Sequence, residues 1–172
     1  TGNREYTAHW TANDYTLAFG AQGGTVSPES ITVTYDAAVG ELPTPERTGY
    51  TFEGWFTEAS GAGSEYTEET VYRTDSDSML YACWTANDYT LAFDAQGGTV
   101  SPESITVTFD AAVGELHEPE RMGYTFGGWY TGTGGAGTEY TADTVYQTAG
   151  DLTLNACWTL NTYALSYDLA GG

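Results

Sequence analysis

The chain of 172 residues contains no lysine, and its four basic residues, all arginine, stand against 24 acidic ones, for a formal net charge of −20. The lack of lysine excludes Schiff-base chemistry, a phosphate-binding P-loop and lysine isopeptide crosslinks within these residues. The negative charge repels phosphate backbones and anionic lipid. No apolar run approaches the ~18 residues that a membrane-spanning helix needs. The sequence therefore predicts no nucleic-acid partner and no direct membrane insertion.

A tandem repeat organises the sequence. The string WTANDYTLAF begins at Trp10 and again at Trp84, and the related WTLNTYALSY begins at Trp158, so the period is 84 − 10 = 158 − 84 = 74 residues. Residues 11–84 and 85–158 differ at 19 positions, so 74 − 19 = 55 are identical. Solenoid repeats are shorter, about 20–50 residues. We therefore expect each copy to bury its own core.

The period also predicts the domain organisation. Residues 11–84 form repeat unit 1, and residues 85–158 form repeat unit 2. Residues 1–10 align with the last strand of a preceding repeat, and residues 159–172 align with the first strand of a following, truncated repeat. The linker around residues 85–88 is short, and the two units carry charge of the same sign. We expect neighbouring units to form an elongated rod, because they share little more than an end-to-end contact.

Alternating apolar residues predict strands throughout each copy. In unit 2 these are residues 89–93 and 105–109, joined as a hairpin through the turn formers of AQGGTVSPES, followed by residues 123–129 and 154–158. The Gly-Gly pair before Trp129 predicts a β-bulge that re-aims the indole. Each unit is therefore expected to be mostly β.

One segment of unit 2 has helical potential, DAAVGEL at residues 110–116. Asp110 could accept hydrogen bonds from the free amides of a first turn, whereas Gly114 and the following HEPE limit the helix to one or two turns. A sheet covered on one face by a short helix is typical of a β-grasp arrangement, which places the first and last strands side by side in a mixed sheet. The predicted fold class is mostly β, α+β with minimal helix, as tandem small β-grasp-like repeat domains in a rod.

The segments YTLAFDAQGGTVSPESITVTF, GELPTPERTGYTFEGWF and MLYACWT together resemble the Listeria-Bacteroides repeat, the family of the internalin B-repeat. The resemblance covers both full units and the two partial ones. It implies small β-grasp domains along secreted or surface-anchored bacterial proteins, where they serve as stalks or adhesive modules. It thus implies an extracellular location at the cell surface and no catalysis. The chain departs from the family in its slightly long repeat and in a cysteine where a charged or polar residue is common.

The titratable residues predict neither a catalytic residue nor a cofactor. His9 stands where the later copies have cysteine, and His117 stands where unit 1 has Pro43, so neither histidine recurs with a serine and an acid. Acidic residues serve solubility and repulsion between units, with calcium binding near strand ends as the alternative. No DxDxDG loop supports that alternative, and no metal ligand is predicted. The aspartates concerned are Asp14, Asp36, Asp88, Asp94, Asp110 and Asp168.

The two cysteines occupy equivalent positions one period apart. Cys83 and Cys157 are separated by a whole unit, far beyond the ~4.4–6.8 Å between Cα atoms that a disulfide allows, so they cannot pair with each other. Alternation places them beside core residues but pointing outward. We predict free thiols, with interchain disulfides as the alternative.

Aromatic residues have two interpretations. The tryptophans could form a platform for carbohydrate, but a unit this small needs large side chains in its core, which favours burial. The outward-facing Tyr81 and Tyr130 are better candidates for contacts. The tryptophans concerned are Trp55, Trp84, Trp129 and Trp158.

Two functions from different classes follow. The first is a stalk or spacer in an adhesin-like protein, whose partners are neighbouring repeats of the same protein. The second is a binding module, in which each unit engages a host protein or glycan. The 19 differences between the copies cluster at residues 43–44, 56–60, 68–69 and 73–81 and leave the first hairpin almost unchanged, which favours neither function.

Overall fold

A computed structural model describes residues 3–167 of the chain. The chain divides between Thr85 and Ala86 into two compact units, and each unit contains one five-stranded sheet. The prediction of a mostly β fold in two repeat-like units is confirmed. The strands of the first repeat are β1 (Asp14–Gly20), β2 (Ser30–Thr34), β3 (Tyr50–Phe56), β4 (Glu65–Tyr66) and β5 (Ser78–Ala86). Those of the second are β6 (Asp88–Asp94), β7 (Ser104–Thr108), β8 (Tyr124–Tyr130), β9 (Glu139–Tyr140) and β10 (Leu152–Leu160).

Both sheets have the same strand order, which is β2-β1-β5-β3-β4 in repeat 1 and β7-β6-β10-β8-β9 in repeat 2. Strands β1 and β2 form the predicted antiparallel hairpin. Strand β1 also pairs in parallel with β5, from Leu17 opposite Ser78 to Gly20 opposite Tyr81. The sheet is therefore mixed, and its first and last long strands lie side by side, as the sequence predicted.

The predicted helix at residues 110–116 does not form. Asp110 has a φ of 60°, in the left-handed region, whereas a residue that caps a helix N-terminus has an extended backbone. The chain then turns and forms an antiparallel bridge between Ala112 and Val145, and the Val113 amide donates to the Thr144 carbonyl at 2.8 Å. A partner distant in sequence thus takes the hydrogen bonds that a helix would have made locally.

Helical geometry in the described chain is limited to two 3-10 turns at equivalent positions, Ala59–Gly61 and Thr133–Gly135. Each follows the third strand of its repeat. Neither turn contributes a buried residue to the core. Within residues 3–167 there is no helix of the length and apolar character needed to cross a membrane.

Each repeat has a separate hydrophobic core of eight residues, and equivalent positions in the two cores have the same residue type. Alternate residues of the strands face inward, and Val39 and Tyr72, which lie outside the strands, close the core from the other side in repeat 1. The repeat 1 core consists of Leu17, Phe19, Val33, Val39, Trp55, Tyr72, Leu80 and Ala82. The repeat 2 core consists of Leu91, Phe93, Val107, Val113, Trp129, Tyr146, Leu154 and Ala156.

The tryptophans lie in or against these cores. Trp55 and Trp129 are each 2% exposed, and their indole nitrogens donate to the carbonyls of Pro43 at 2.8 Å and His117 at 3.0 Å. The half-buried pair, Trp84 and Trp158, packs against the same cores and donates to loop carbonyls at 2.8 Å. Core packing with satisfied N–H groups therefore accounts for all four rings.

The two partial repeats differ from their predicted strand structure. In their described parts, residues 3–10 and 161–167, no strand is present, and β10 itself extends to Leu160. A strand is stable only when it pairs with others on a common apolar face. No described strand pairs with either segment, so each is irregular.

Candidate functional site

The cysteine thiols lie on the sheet face opposite the core. Cys83 and Cys157 are free and half-buried, and each follows a core alanine in the alternating pattern of its strand. The last glycine of the 3-10 turn lies over the thiol: a Cβ atom on Gly61 would lie 2.8 Å from the Cys83 Sγ, and one on Gly135 would lie 3.0 Å from the Cys157 Sγ. The turn therefore covers part of each sulfur. Free thiols stay the prediction for both cysteines, with interchain disulfides as the alternative.

A β-bulge lies directly opposite Cys157. Ala156 pairs with Trp129 and Trp158 pairs with Phe126, so the two glycines between Phe126 and Trp129 face one residue of β10. The bulge that the Gly-Gly pair predicted is therefore present. It directs Trp129 into the core, and Phe126 contacts both indoles edge-on, at centroid distances of 5.4 and 5.6 Å.

The arginines shared by both repeats bind within their own repeat. The guanidinium of Arg47 lies 3.6 Å from the Tyr50 ring centroid, and that of Arg121 lies 3.9 Å from the Tyr124 ring centroid. Arg121 also donates to the Gln96 carbonyl at 2.8 Å. These contacts tie the first hairpin loop to the start of the third strand by cation–π and hydrogen-bond interactions. Their role is to stabilise the repeat.

The aspartates for which calcium binding was the alternative do not converge in the described residues, where no group of three or more acidic, histidine or cysteine side chains could hold a metal ion. Asp14 accepts a hydrogen bond from the Thr34 hydroxyl at 2.6 Å, and Asp36 pairs with Arg73 at 3.3 Å. Asp168 lies outside the described residues. The aspartates described here satisfy local hydrogen bonds.

Two tyrosines of repeat 2 have raised pKa values. Burial raises the pKa of Tyr146, with the nearby acidic groups of Tyr140 and Asp151 adding to the shift, and its hydroxyl donates to the Gly150 carbonyl at 2.6 Å. Desolvation and the neighbouring carboxylate of Glu139 raise the pKa of Tyr130. Both hydroxyls therefore keep their protons in neutral solution. Tyr130 also interacts with the nearby Cys157 thiol, and its hydroxyl is hydrogen-bonded to Glu139.

The surface of repeat 2 contains a groove between the start of β8 and the end of β10. Its volume is about 560 Å³. Its aromatic lining residues, here called its floor, are Tyr124, Phe126 and Trp158, and its acidic lining residues are Glu118 and Glu120. The lining consists of Glu118, Pro119, Glu120, Arg121, Met122, Tyr124, Thr125, Phe126 and Trp158. An aromatic floor beside carboxylates is suited to binding a cationic, partly apolar ligand.

Sequence reasoning missed this groove. It treated Trp158 as a core residue and gave no role to Met122, whose side chain is 99% exposed. Pro119 signals a break between strands, but no periodic pattern connects residues 118–122 with β10. The outward tyrosines that the sequence favoured for contacts, Tyr81 and Tyr130, lie elsewhere on the sheets, half-buried.

Fold and surface together define a class of protein: small β domains repeated in tandem, each with its own core, and with shallow surface grooves. The chain belongs to the Listeria-Bacteroides repeat domain family, whose family model matches residues 15–83 and 89–157. The family that the sequence motifs suggested is therefore confirmed. Both matched segments contain the complete core of one repeat.

Relatives of the chain are much longer proteins. It is 35% identical over 147 residues to internalin H of Listeria monocytogenes, covering 86% of this chain and 25% of that protein. A protein of Evansella cellulosilytica whose name describes it as a Gly-rich membrane protein is 33% identical over 169 residues, covering 96% of this chain and 18% of that protein. The chain thus spans about a quarter or less of these relatives.

Proposed function

We propose that the chain is a non-catalytic spacer segment of a secreted or cell-surface protein, in which tandem repeats hold another part of that protein away from the surface. The observation that carries this proposal is the parallel pairing of β1 with β5, repeated in β6 and β10. Parallel neighbours run in the same direction. The chain therefore enters each repeat at one end of its sheet and leaves at the other.

The register gives the length that one repeat contributes. Leu17 lies opposite Ser78, so Asp14 is level with position 14 + 61 = 75, and β5 ends 86 − 75 = 11 residues farther along, at Ala86. At about 3.3 Å per residue, entry and exit lie roughly 36 Å apart. A repeat with this geometry adds length for each copy, as a spacer requires.

The same pairing suits a segment under tension. A force applied between the two ends of a repeat pulls β1 and β5 in opposite directions along their length. The hydrogen bonds from Leu17–Ser78 to Gly20–Tyr81 are then loaded together rather than one after another. Repeats of this kind resist extension, which supports a role in a surface protein that is under mechanical tension.

Location outside the cell rests on the relatives and on charge. Two relatives have names that describe membrane proteins, and a third is an internalin. The net charge of −20 keeps a long array soluble and its copies apart. A spacer needs no active site.

Small-angle X-ray scattering of the 172-residue chain tests the spacer function. Two repeats that each add roughly 36 Å give a radius of gyration of about 20 Å or more by rod geometry. A compact globule of this length has a value on the order of 16 Å. The larger value supports the proposal, and the compact value contradicts it. A charge-screening series in salt is the control for repulsion between units.

A further inference from the structure

The floor of the groove in repeat 2 is rigid. Phe126 packs edge-on against Trp158 at a centroid distance of 5.6 Å, and the Trp158 indole is fixed by its hydrogen bond to the Ala95 carbonyl at 2.8 Å. Tyr124 begins β8 and lies beneath the Arg121 guanidinium. The Phe126 and Trp158 rings are already held in place, so little conformational entropy is lost when a ligand contacts them.

Apolar side chains extend the floor into solvent. Met122 is 99% exposed and Leu160 is 63% exposed, and Leu160 lies directly opposite Tyr124 in the β8–β10 pairing. Neither side chain belongs to the core cluster of repeat 2. Methionine is a flexible, polarizable side chain that adapts to apolar partners.

The negative charge of the groove favours a cationic partner. Glu118 and Glu120 line the groove and are exposed, in a chain with a net charge of −20. The chain has no lysine, and the arginine in the groove already lies over Tyr124. A second molecule therefore has to supply the cation that the carboxylates and aromatic faces attract.

Repeat 1 lacks the residues that make this surface distinctive. One period earlier, the positions of Glu118, Met122 and Leu160 are occupied by Thr44, Thr48 and Ala86. The three aromatic residues of the floor are the same in both repeats. The same fold therefore forms with threonine and alanine at these positions. The acidic and apolar side chains of repeat 2 are additions that folding does not require.

We propose that repeat 2 binds, through this groove, an extended basic peptide segment of another protein, in which lysine or arginine alternates with apolar residues. The cationic side chains lie over the aromatic floor beside Glu118 and Glu120, and the apolar side chains contact Met122 and Leu160. This binding role goes beyond the spacer function and does not depend on it.

Titration of the ¹⁵N-labelled chain with the peptide acetyl-Gly-Leu-Lys-Leu-Lys-Leu-Gly-amide, at about 0.15 M salt, tests the proposal by NMR. We expect saturable chemical-shift changes at residues 118–126 and at the Trp158 indole N–H, and none at residues 44–52 or Trp84. Matched probes are the peptide with glutamate in place of lysine and the oligosaccharide chitohexaose. Neither is expected to saturate the groove.

The variant Glu118→Thr with Met122→Thr gives repeat 2 the residues of repeat 1 at these two positions. It should bind the lysine peptide about tenfold more weakly, the size expected when a charged and an apolar contact are lost. The matched control, Asp143→Thr with Val145→Thr, also removes one exposed carboxylate and one exposed apolar side chain, away from the groove. It should bind as the parent chain does, and both variants should retain the dispersed amide spectrum of the fold.

Several outcomes overturn the proposal. These are no saturable change with the lysine peptide, equal changes in both repeats, or unchanged affinity in the variant with threonine at positions 118 and 122. Saturation by chitohexaose instead of the peptide would identify a glycan as the occupant. Shift changes at residues 118–126 on dilution without any peptide would identify a second copy of the chain.

Discussion

The two repeats have identical residues at 55 of 74 positions and share one strand order. The positions at which they differ show where this fold tolerates substitution. All eight core positions are identical in type. The differences lie instead at exposed or half-buried positions on strands and loops. Burial thus explains why the core residues are the same, because a change of even one methylene in a packed core is felt by its neighbours.

Some differences are coupled in space. In repeat 1 a Cβ atom on Gly20 would lie 3.3 Å from the Tyr81 ring, closer than most such contacts. In repeat 2 the tyrosine is replaced by Asn155, which accepts a hydrogen bond from Gln96 at 3.0 Å, and the glycine is replaced by Asp94. The smaller asparagine leaves room for a side chain at the glycine position. Neighbouring positions have therefore changed together, as expected for residues in contact.

The largest effect on stability is expected when one of the shared core residues is removed. Trp55→Ala should destabilise repeat 1 by about 3–5 kcal/mol, because a buried indole is replaced by a cavity. That is a large part of the stability expected for a domain of this size. Repeat 2 should keep its own stability, since its core contains no residue of repeat 1.

Urea unfolding followed by residue-resolved NMR measures this effect. Resonances of repeat 1 should be lost at lower urea than in the parent chain, and those of repeat 2 should not shift their midpoint. The matched variant Trp129→Ala should reverse the order. Loss of both repeats in one transition would contradict the independence of the two cores.

The next effect concerns a shared glycine that allows close approach. A Cβ atom at Gly98 would lie 2.6 Å from the Glu120 carbonyl oxygen and 2.9 Å from the Trp158 ring. Gly98→Ala should therefore destabilise repeat 2 by about 1–3 kcal/mol through overpacking. Thermal unfolding monitored by tryptophan fluorescence gives the change. Gly150→Ala is the control, because a Cβ there meets no atom within 4 Å; equal effects of the two substitutions would refute the steric argument.

A smaller effect is expected when a residue that differs between the two repeats is replaced by its counterpart. Ser60 has a φ of 61° in the 3-10 turn of repeat 1, where repeat 2 has Gly134 with a φ of 67°. A side chain is strained in this left-handed region, and the greater freedom of glycine in the unfolded chain offsets part of the gain. Ser60→Gly should stabilise repeat 1, and Gly134→Ser should destabilise repeat 2, each by about 0.5–1 kcal/mol. Chemical denaturation should show opposite signs, and matching signs would show that the turn is not strained.

The smallest effect should come from an ion pair present only in repeat 1. Arg73 and Asp36 are 3.3 Å apart, but their side chains are 73% and 65% exposed, and repeat 2 has glutamine at the position of the arginine. Solvent screens such a pair, so Arg73→Gln should change the free energy of unfolding by less than about 0.5 kcal/mol. Unfolding midpoints at low and high salt measure it. A decrease in the free energy of unfolding above about 1 kcal/mol that disappears at high salt would show that the ion pair stabilises repeat 1.

Much of the fold was predictable because strands are encoded by local alternation. The hairpin of β6 and β7, the bulge before Trp129 and the burial of that indole all follow from patterns within a few residues. The prediction of a helix at residues 110–116 was wrong because a contact distant in sequence determines the structure there. Its composition permits a turn of helix, but the bridge between Ala112 and Val145 is a contact across more than thirty residues, which no local pattern reports.

The sequence by itself determined the period, the four long strands of each full repeat, the faces that they bury and the family, because each of these follows from residue spacing. Only the tertiary structure decided the full strand order, with the short strands β4 and β9 at the sheet edges, and which surface residues meet. The groove of repeat 2 brings Glu118 and Met122, from a loop and the turn before β8, beside Trp158 on β10. Hydrophobic burial draws the aromatic residues of distant segments together, and exposed side chains become neighbours only as a consequence of that packing.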